Sequence, residues 1–243
     1  MMFLSALAFC VFCAASSAAY LFNDFMDAEA DRGDPRKKLR PFASGRTSKK
    51  LQFILIASCI VAACAGCFFL PVTAFIWLSA YWAGMFIYSI GLKRIWPAGI
   101  GIISFGMIAR VFAGAAALGL EVSPWVLPCV FLLTFYVVAG KRIFDARLKG
   151  DAFPQGIKTA FAFCGAATFF IYTYYTRYDA TMLKYHTHWL IVTAAPVALG
   201  LAEYARLVLI APARREHLEA VVLDPAIAAS LAAWWIAFLI VIY

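Results

Sequence analysis

The 243 residues are 65% hydrophobic and only 14% charged, with a mean hydropathy of +0.84, which excludes a soluble domain of this size. The formal charge of +8 does not indicate a nucleic-acid binder, because the basic residues gather on alternate connections between apolar runs. That is the pattern of a polytopic membrane protein whose partners are lipids and small anions.

Apolar runs of the length that crosses a hydrocarbon core fall at 2–22, 50–70, 71–91, 98–119, 124–142, 156–176, 188–209 and 225–243. The sequence therefore predicts an all-α membrane bundle of about eight transmembrane helices, read as a single domain over 1–243. Pro71 sets the turn between the second and third runs, since it lacks an N–H and restricts the residue before it. The connections 23–49, 92–97, 143–155 and 210–224, with their flanks, carry Arg32 to Lys50, Lys93 and Arg94, Lys141 to Lys158, and Arg206 to Arg215. The opposite connections carry only Arg177 and Lys184, so the basic ones are expected on the cytoplasmic face of a bacterial inner membrane and both chain ends outside. No basic residue precedes the first run and many follow it. Such a helix enters tail-first most readily after an earlier crossing, so a further span is expected ahead of Met1, and the chain reads as truncated at its N-terminus.

The first run ends at Tyr20-Leu21-Phe22 and joins Asn23-Asp24-Phe25-Met26-Asp27-Ala28-Glu29-Ala30-Asp31 directly. If the helix continues, Asp24, Asp27 and Asp31 at i, i+3 and i+7 share one stripe, while Glu29 points away. Three carboxylates on one stripe repel unless a cation sits among them, so they read as an oxygen-ligand site for Mg²⁺, which binds through a few carboxylates plus substrate phosphates. Arg32, Arg36, Lys37, Lys38, Arg40, Arg46, Lys49 and Lys50 follow and would match a pyrophosphate group. The plainer reading is a solvated acidic turn followed by a positive-inside loop.

Further along, Tyr88-Ser89 and Lys93 end the third run on the same face, where interfacial tyrosine and snorkelling lysine are also common without catalysis. Arg110 lies near mid-span, where a charge costs several kcal/mol and must face protein or water. It either binds substrate phosphate at depth or fixes packing through a carbonyl or acid. Gly140-Lys141-Arg142-Ile143-Phe144-Asp145-Ala146-Arg147-Leu148-Lys149-Gly150-Asp151 forms a second charged connection, expected to share a cavity with the first. Lys141 and Arg142 suit phosphate oxygens there, and Asp145 or Asp151 would add a carboxylate or hold a sugar hydroxyl; the plainer reading is an ordinary membrane-surface loop. Glu203, Tyr204 and Arg206 suggest an internal structural pair. The seven cysteines lie within spans, the Cys64-x-x-Cys67 pair included, and are read as packing residues, and His186, His188 and His217 lack a convincing metal partner.

Asn23-Asp24-x-x-Asp27-x-x-x-Asp31 with Arg40-Pro41 downstream is similar to the first signature of the UbiA-type polyprenyl transferase superfamily. The Pro35 to Lys38 run, Arg40 to Gly45, Tyr88-Ser89 with Lys93, Arg110 with Ala113-Gly114, Gly140-Lys141-Arg142, Tyr204 to Val208 and Val221 to Asp224 most resemble its branch of decaprenyl-phosphate phosphoribosyltransferases. The resemblance implies nine spans around a cavity open to lipid, with a metal-phosphate site at the cytoplasmic mouth. It implies transfer of 5-phosphoribosyl from phosphoribosyl pyrophosphate to a polyprenyl phosphate. Asp24, Asp27 and Asp31 would hold Mg²⁺ and act in catalysis. Asn23, Lys38, Arg40, Tyr88, Lys93, Arg110, Lys141, Arg142 and Asp145 would contact the diphosphate donor or the polyprenyl lipid. The second connection departs from the acid-rich motif of relatives that prenylate aromatic rings, because Arg147 and Lys149 interrupt it, whereas Gly156-Ile157-Lys158 resembles them. An aromatic polyprenyltransferase of quinone synthesis is therefore the alternative enzyme, and a non-catalytic membrane binder or transporter the alternative class.

Overall fold

The apolar runs become helices uninterrupted because proline is kept out of their interiors. Pro71 and Pro154 are N-caps, and Pro97, Pro128, Pro196 and Pro225 fall in first turns, where the missing N–H had no intrahelical partner. The computed structural model describes residues 2–34, 37–152, 154–211 and 224–242. Pro35, Arg36, Arg214, Arg215, His217 and Val221 to Leu223, considered above, lie outside the described residues.

Among the described residues the helices are α1 (Met2–Arg32), α2 (Lys49–Cys67), α3 (Val72–Ile90), α4 (Trp96–Leu118), α5 (Val126–Lys149), α6 (Gln155–Thr176), α7 (Asp179–Tyr185), α8 (Ala194–Leu209) and α9 (Pro225–Ile242). Short 3₁₀ turns cover Lys37–Leu39, Leu92–Arg94 and Trp189–Thr193. Among the described residues, eight helical segments are long and apolar enough to cross a bilayer. Each buries no more than a third of its apolar window inside the protein. With side chains such as Phe9, Phe68 and Ile240 pointing outward, the chain is an integral membrane protein, solvated by lipid where a soluble protein would be solvated by water.

The chain forms two compact units, Met1–Ser123 and Pro124–Tyr243. In the first, α1 packs on α2, α3 and α4, and α3 pairs closely with α4. Its core is built of small residues: Ala15, Ala63, Ala74, Ala109 and Ala113 are almost wholly buried beside Leu78 and Tyr81. Lipid tails offer apolar side chains nothing worse than a neighbouring helix does, so association relies on close backbone approach and polar contacts. Gly66 illustrates it, since a Cβ there would collide with the Val11 side chain of α1. Trp82 Nε1 adds a hydrogen bond to the Ala15 carbonyl, 3.1 Å away.

In the second unit, α5 pairs with α6, and α8 packs on α5, α6 and α9. Gly140 and Gly165 receive the rings of Tyr204 with Phe161, and of Tyr136, respectively. Tyr136 donates to the Leu201 carbonyl at 2.7 Å and Tyr204 to the Val137 carbonyl at 2.6 Å. Three departures from the sequence reading occur here. Helix α5 runs on to Lys149, ending at Gly150 with φ 71°, so Lys141, Arg142 and Asp145 sit on a helix and not in a loop. The run at 188–209 opens as a 3₁₀ turn before α8, and α7 precedes it. Glu203 and Arg206 do pair, through two bonds of 2.8 and 2.6 Å, but on an exposed face.

A Cβ at Gly140 would stand 2.6 Å from Tyr204 Cε1, whereas one at Gly101 meets nothing within 4 Å. Gly140→Ala is therefore expected to cost about 1–3 kcal/mol through overpacking, lowering the unfolding midpoint in detergent, while Gly101→Ala leaves it unchanged or raised.

Candidate functional site

Helix α1 continues ten residues past its apolar part because Asn23 to Arg32 contains no glycine or proline and includes Met26, Ala28, Glu29 and Ala30, all good helix formers. It stops at Gly33, whose N–H returns to the Ala30 carbonyl. Arg32 in the last turn complements the negative helix end and donates to the Ala43 carbonyl at 3.2 Å. The stripe read from the sequence is realised: Glu29 is exposed, while Asp24 and Asp27 are half-buried and Asp31 is 4% exposed.

The strap between α1 and α2 folds back over that stripe. Phe42 and Ala43 are buried and anchor it. Helical-turn bonds from Arg40 N to Lys37 O and from Ser44 N to Arg40 O shape it. Thr47 Oγ1 donates to Pro41 O, Gln52 Nε2 to Thr47 O, and Ser48 caps α2 by accepting from Leu51 N at 3.2 Å. This framework delivers Arg40 to the acids. Its Nη1 lies 3.0 Å from Asp24 Oδ1 and 2.9 Å from Asp31 Oδ2, and Lys37 Nζ is 3.4 Å from Asp31 Oδ1. From the turn before α4, Lys93 Nζ reaches Asp27 Oδ1 at 2.5 Å and Asn23 Oδ1 at 3.3 Å, and Asn23 Nδ2 donates to Asp27 Oδ2 at 3.2 Å. Three carboxylates thus meet three cations.

Among the described residues no three acids converge as a ready-made metal-ligand set. Asp24 and Asp31 share Arg40 Nη1 as a partner, so their oxygens are spaced for one cation between them, while Asp27 is held a step round the helix by Lys93 and Asn23. Two carboxylates around one cation is a donor set that Mg²⁺ accepts when phosphate oxygens complete its shell. The acid stripe therefore fits such an ion through Asp24 and Asp31 first.

Of the other residues singled out by sequence, Lys38 is exposed on its 3₁₀ turn and Tyr88 is half-buried in the last turn of α3. Arg110 is drawn into the first unit's interior. Its Nη2 donates to Ser16 Oγ at 3.1 Å and Tyr81 Oη at 3.0 Å, Nη1 meets Met107 Sδ at 3.0 Å, and the guanidinium lies 4.9 Å from the centre of the Tyr81 ring. Its Nε is buried without a hydrogen-bond partner. Ser16, Asn23 and Asp27 share a face of α1, and Ser16 precedes Asp24 by about 12 Å along the axis at helical rise. Arg110 therefore sits well below the acids.

In the second unit, Lys141 is exposed, and Arg142 and Asp145 are half-buried one turn apart on α5. Arg147 turns out to be structural: Nη1 donates to the Val208 carbonyl and Nη2 to the Ala211 carbonyl at 3.1 Å, closing the end of α8. Sequence reasoning missed Lys37 as the specific partner of Asp31, and missed Ser16 and Tyr81 altogether. Lys37 was signalled by its place in the basic run; Ser16 and Tyr81 carry no local signal, since they meet Arg110 across long sequence separations. All seven cysteines are free thiols. His188 Nδ1 touches only Met182 Sδ among the contacts of the described residues.

An apolar groove of about 460 Å³ begins one residue before the polar motif. It is lined by Phe22, Phe53, Ile56, Trp82 and Phe86, among others, with Phe22 and Phe86 stacked at 4.7 Å.

If ion pairs hold the strap down, Asp24→Asn combined with Asp31→Asn should free it. Trypsin cleavage after Lys37 or Lys38 in detergent-solubilised protein should then accelerate several-fold. An unchanged rate would show that Phe42 and Ala43 suffice.

The profile of the UbiA prenyltransferase family matches residues 2–159. The chain is 35% identical over 141 residues to decaprenyl-phosphate phosphoribosyltransferase of Mycolicibacterium smegmatis, covering 58% of this chain and 44% of that protein. It is 28% identical over 207 residues to the enzyme of the same name from Mycobacterium tuberculosis, covering 82% and 68%. It is also 29% identical over 192 residues to 4-hydroxybenzoate octaprenyltransferase of Neisseria gonorrhoeae, covering 76% and 60%. The match thus spans between less than half and about two thirds of these relatives' own length.

Proposed function

Because this chain belongs to the UbiA prenyltransferase family, we propose that it transfers 5-phosphoribosyl from phosphoribosyl pyrophosphate to a polyprenyl phosphate, releasing pyrophosphate. The observation that carries this reading is the closed set of acids and bases at the end of α1, directly above an apolar groove. A diphosphate needs the bases, its metal needs the acids, and a polyprenyl chain needs the groove. The phosphoribosyl relatives, which include the 35% identical one, favour this transfer over prenylation of a ring.

An oxygen of the lipid phosphate attacks the anomeric carbon of the ribose as that carbon's bond to the pyrophosphate oxygen breaks. The bonding electron pair leaves with the pyrophosphate. The attacking phosphate is already anionic, so no strong general base is required. Asp24 and Asp31, with Asp27 beside them, would hold a magnesium ion, which when bound would supply positive charge for the departing pyrophosphate. Arg40 and Lys93, which now hold those acids, are placed to turn to phosphate oxygens, Arg40 through its planar fork. Lys38 and Tyr88 are assigned to the approaching substrates, and Asn23, which donates to Asp27, to orienting that carboxylate. Arg110, with only neutral acceptors around it, suits an anionic group of the acceptor. In the second unit, Lys141 and Arg142 are assigned to phosphate and Asp145 to the ribose or a second metal. This reading takes residues 1–243 as one transferase domain with its chemistry on the cytoplasmic face of a bacterial inner membrane.

Membranes bearing the protein, incubated with Mg²⁺, polyprenyl phosphate and labelled phosphoribosyl pyrophosphate, are expected to place label in the lipid. EDTA should abolish the reaction, and Asp27→Asn should lower it by about 100-fold or more, the scale on which an electrostatic catalytic group acts. Product formed only from prenyl diphosphate and an aromatic acid would establish the alternative enzyme, and neither product would establish a non-catalytic binder.

A further inference from the structure

Arg40 stands where an ion shared by Asp24 and Asp31 would have to stand. Its Nη1 lies 3.0 Å from Asp24 Oδ1 and 2.9 Å from Asp31 Oδ2, so one nitrogen bridges the two carboxylates that are spaced for a single cation. Two positive groups cannot occupy that gap together. An ion that enters it must expel the guanidinium.

Where the guanidinium then goes is restricted by the strap. Arg40 N donates to Lys37 O at 2.9 Å and Ser44 N to Arg40 O at 2.8 Å, next to buried Phe42 and Ala43, so the stem of the side chain is fixed. The side chain itself is 41% exposed and can swing outward with little loss of packing. It stays close to whatever displaced it. A free divalent ion would leave it there without a carboxylate, repelled by two positive charges at short range. An ion that arrives with a diphosphate brings oxygens that the guanidinium fork can take up in exchange. Asp31 adds a second restriction, because a buried carboxylate left without a cation is strongly destabilising, so the guanidinium leaves only as another cation replaces it. Lys37 Nζ, 3.4 Å from Asp31 Oδ1, keeps hold of the other oxygen during the exchange.

We propose that Arg40 is an ionic plug through which the acid stripe selects a divalent metal-diphosphate complex over the free ion. The inference rests on the transfer reading above and adds an order to it: metal and diphosphate enter together and leave together. The guanidinium trades carboxylate oxygens for phosphate oxygens, and no shielded charge is left alone at any stage. By linkage, the diphosphate tightens metal binding by the factor by which the metal tightens diphosphate binding.

Purified protein in an uncharged detergent at low salt is titrated with Mn²⁺ alone, which shares the octahedral oxygen coordination of Mg²⁺, and bound ion is read by electron paramagnetic resonance. Labelled inorganic pyrophosphate is then titrated in excess Mg²⁺. Arg40→Gln should bind Mn²⁺ about tenfold more tightly than wild type and pyrophosphate about tenfold more weakly, the scale of one charge-assisted hydrogen bond. Arg46→Gln removes the same charge from an exposed place on the strap and should change either affinity by less than about threefold, since solvent and salt screen it.

Equal Mn²⁺ binding by wild type and Arg40→Gln would overturn the proposal. So would weakening of both ligands, the mark of a residue that only shapes the strap, and so would an effect of Arg46→Gln as large as that of Arg40→Gln. Should Arg40→Gln fail to fold, Arg40→Met, which keeps the aliphatic stem, is measured in its place; failure of both to fold would make Arg40 a structural residue and end the proposal. Asp24→Asn with Asp31→Asn, added to Arg40→Gln, should abolish Mn²⁺ binding. An ion that still binds there lies elsewhere, and both the plug and the metal site of the transfer reading fall. Binding lost in that variant but unaltered in Arg40→Gln alone removes the plug and leaves the transfer reading standing.

Discussion

Much of the first unit follows from one electrostatic constraint: carboxylates fixed on a single rigid helix cannot move apart, so positive charge must come to them. Arg40 answers it for Asp24 and Asp31 with one nitrogen shared between two oxygens. Lys93 answers it for Asp27 from the turn ahead of α4. These two contacts tie the strap after α1 and the α3–α4 connection to the same ten residues. The loops that shape the site are thereby ordered by the charges that the site displays. Buried Asp31 is the most demanding member, because leaving a shielded carboxylate without a partner would cost more than breaking an exposed pair contributes.

Below that charged end the logic changes. Helices surrounded by lipid gain little from burying leucine, and the first unit accordingly packs alanine and glycine against a few large side chains. Arg110 is the exception, a guanidinium held by a serine, a tyrosine and a thioether without a carboxylate in its ion-pair shell among the described residues. It links α1, α3 and α4 in one contact set, so a substrate anion arriving there would touch the packing of all three.

The eight spans, the stripe formed by the three aspartates and the family signature were legible in the sequence because they are local. Length and apolarity define a span, helical period defines a stripe, and proline positions define where helices start. The end of α5 was misjudged since charge was taken as the mark of a loop; Lys141 to Lys149 contains no helix breaker, and Gly150 is the first residue to supply one. Arg147 looked like an interruption in an acidic motif, yet it serves carbonyls more than sixty residues away. The specific pairing of Arg40, Lys37 and Lys93 with particular aspartates was likewise illegible. Eight basic residues follow the motif at similar spacing, and only the fold of the strap selects among them.

The length of α1 carries a mechanical implication. Its apolar part, residues 2–22, spans about 31 Å at helical rise, close to the thickness of a hydrocarbon core, and Asn23 to Arg32 adds about 15 Å beyond it. The acids therefore ride on a rod whose lower part is matched to the membrane, and their height above the acyl chains is set by hydrophobic mismatch. A thicker bilayer draws the first aspartate toward the headgroups and a thinner one lifts it or tilts the rod, which makes membrane composition a physical control on how the charged end meets water-borne and lipid-borne molecules.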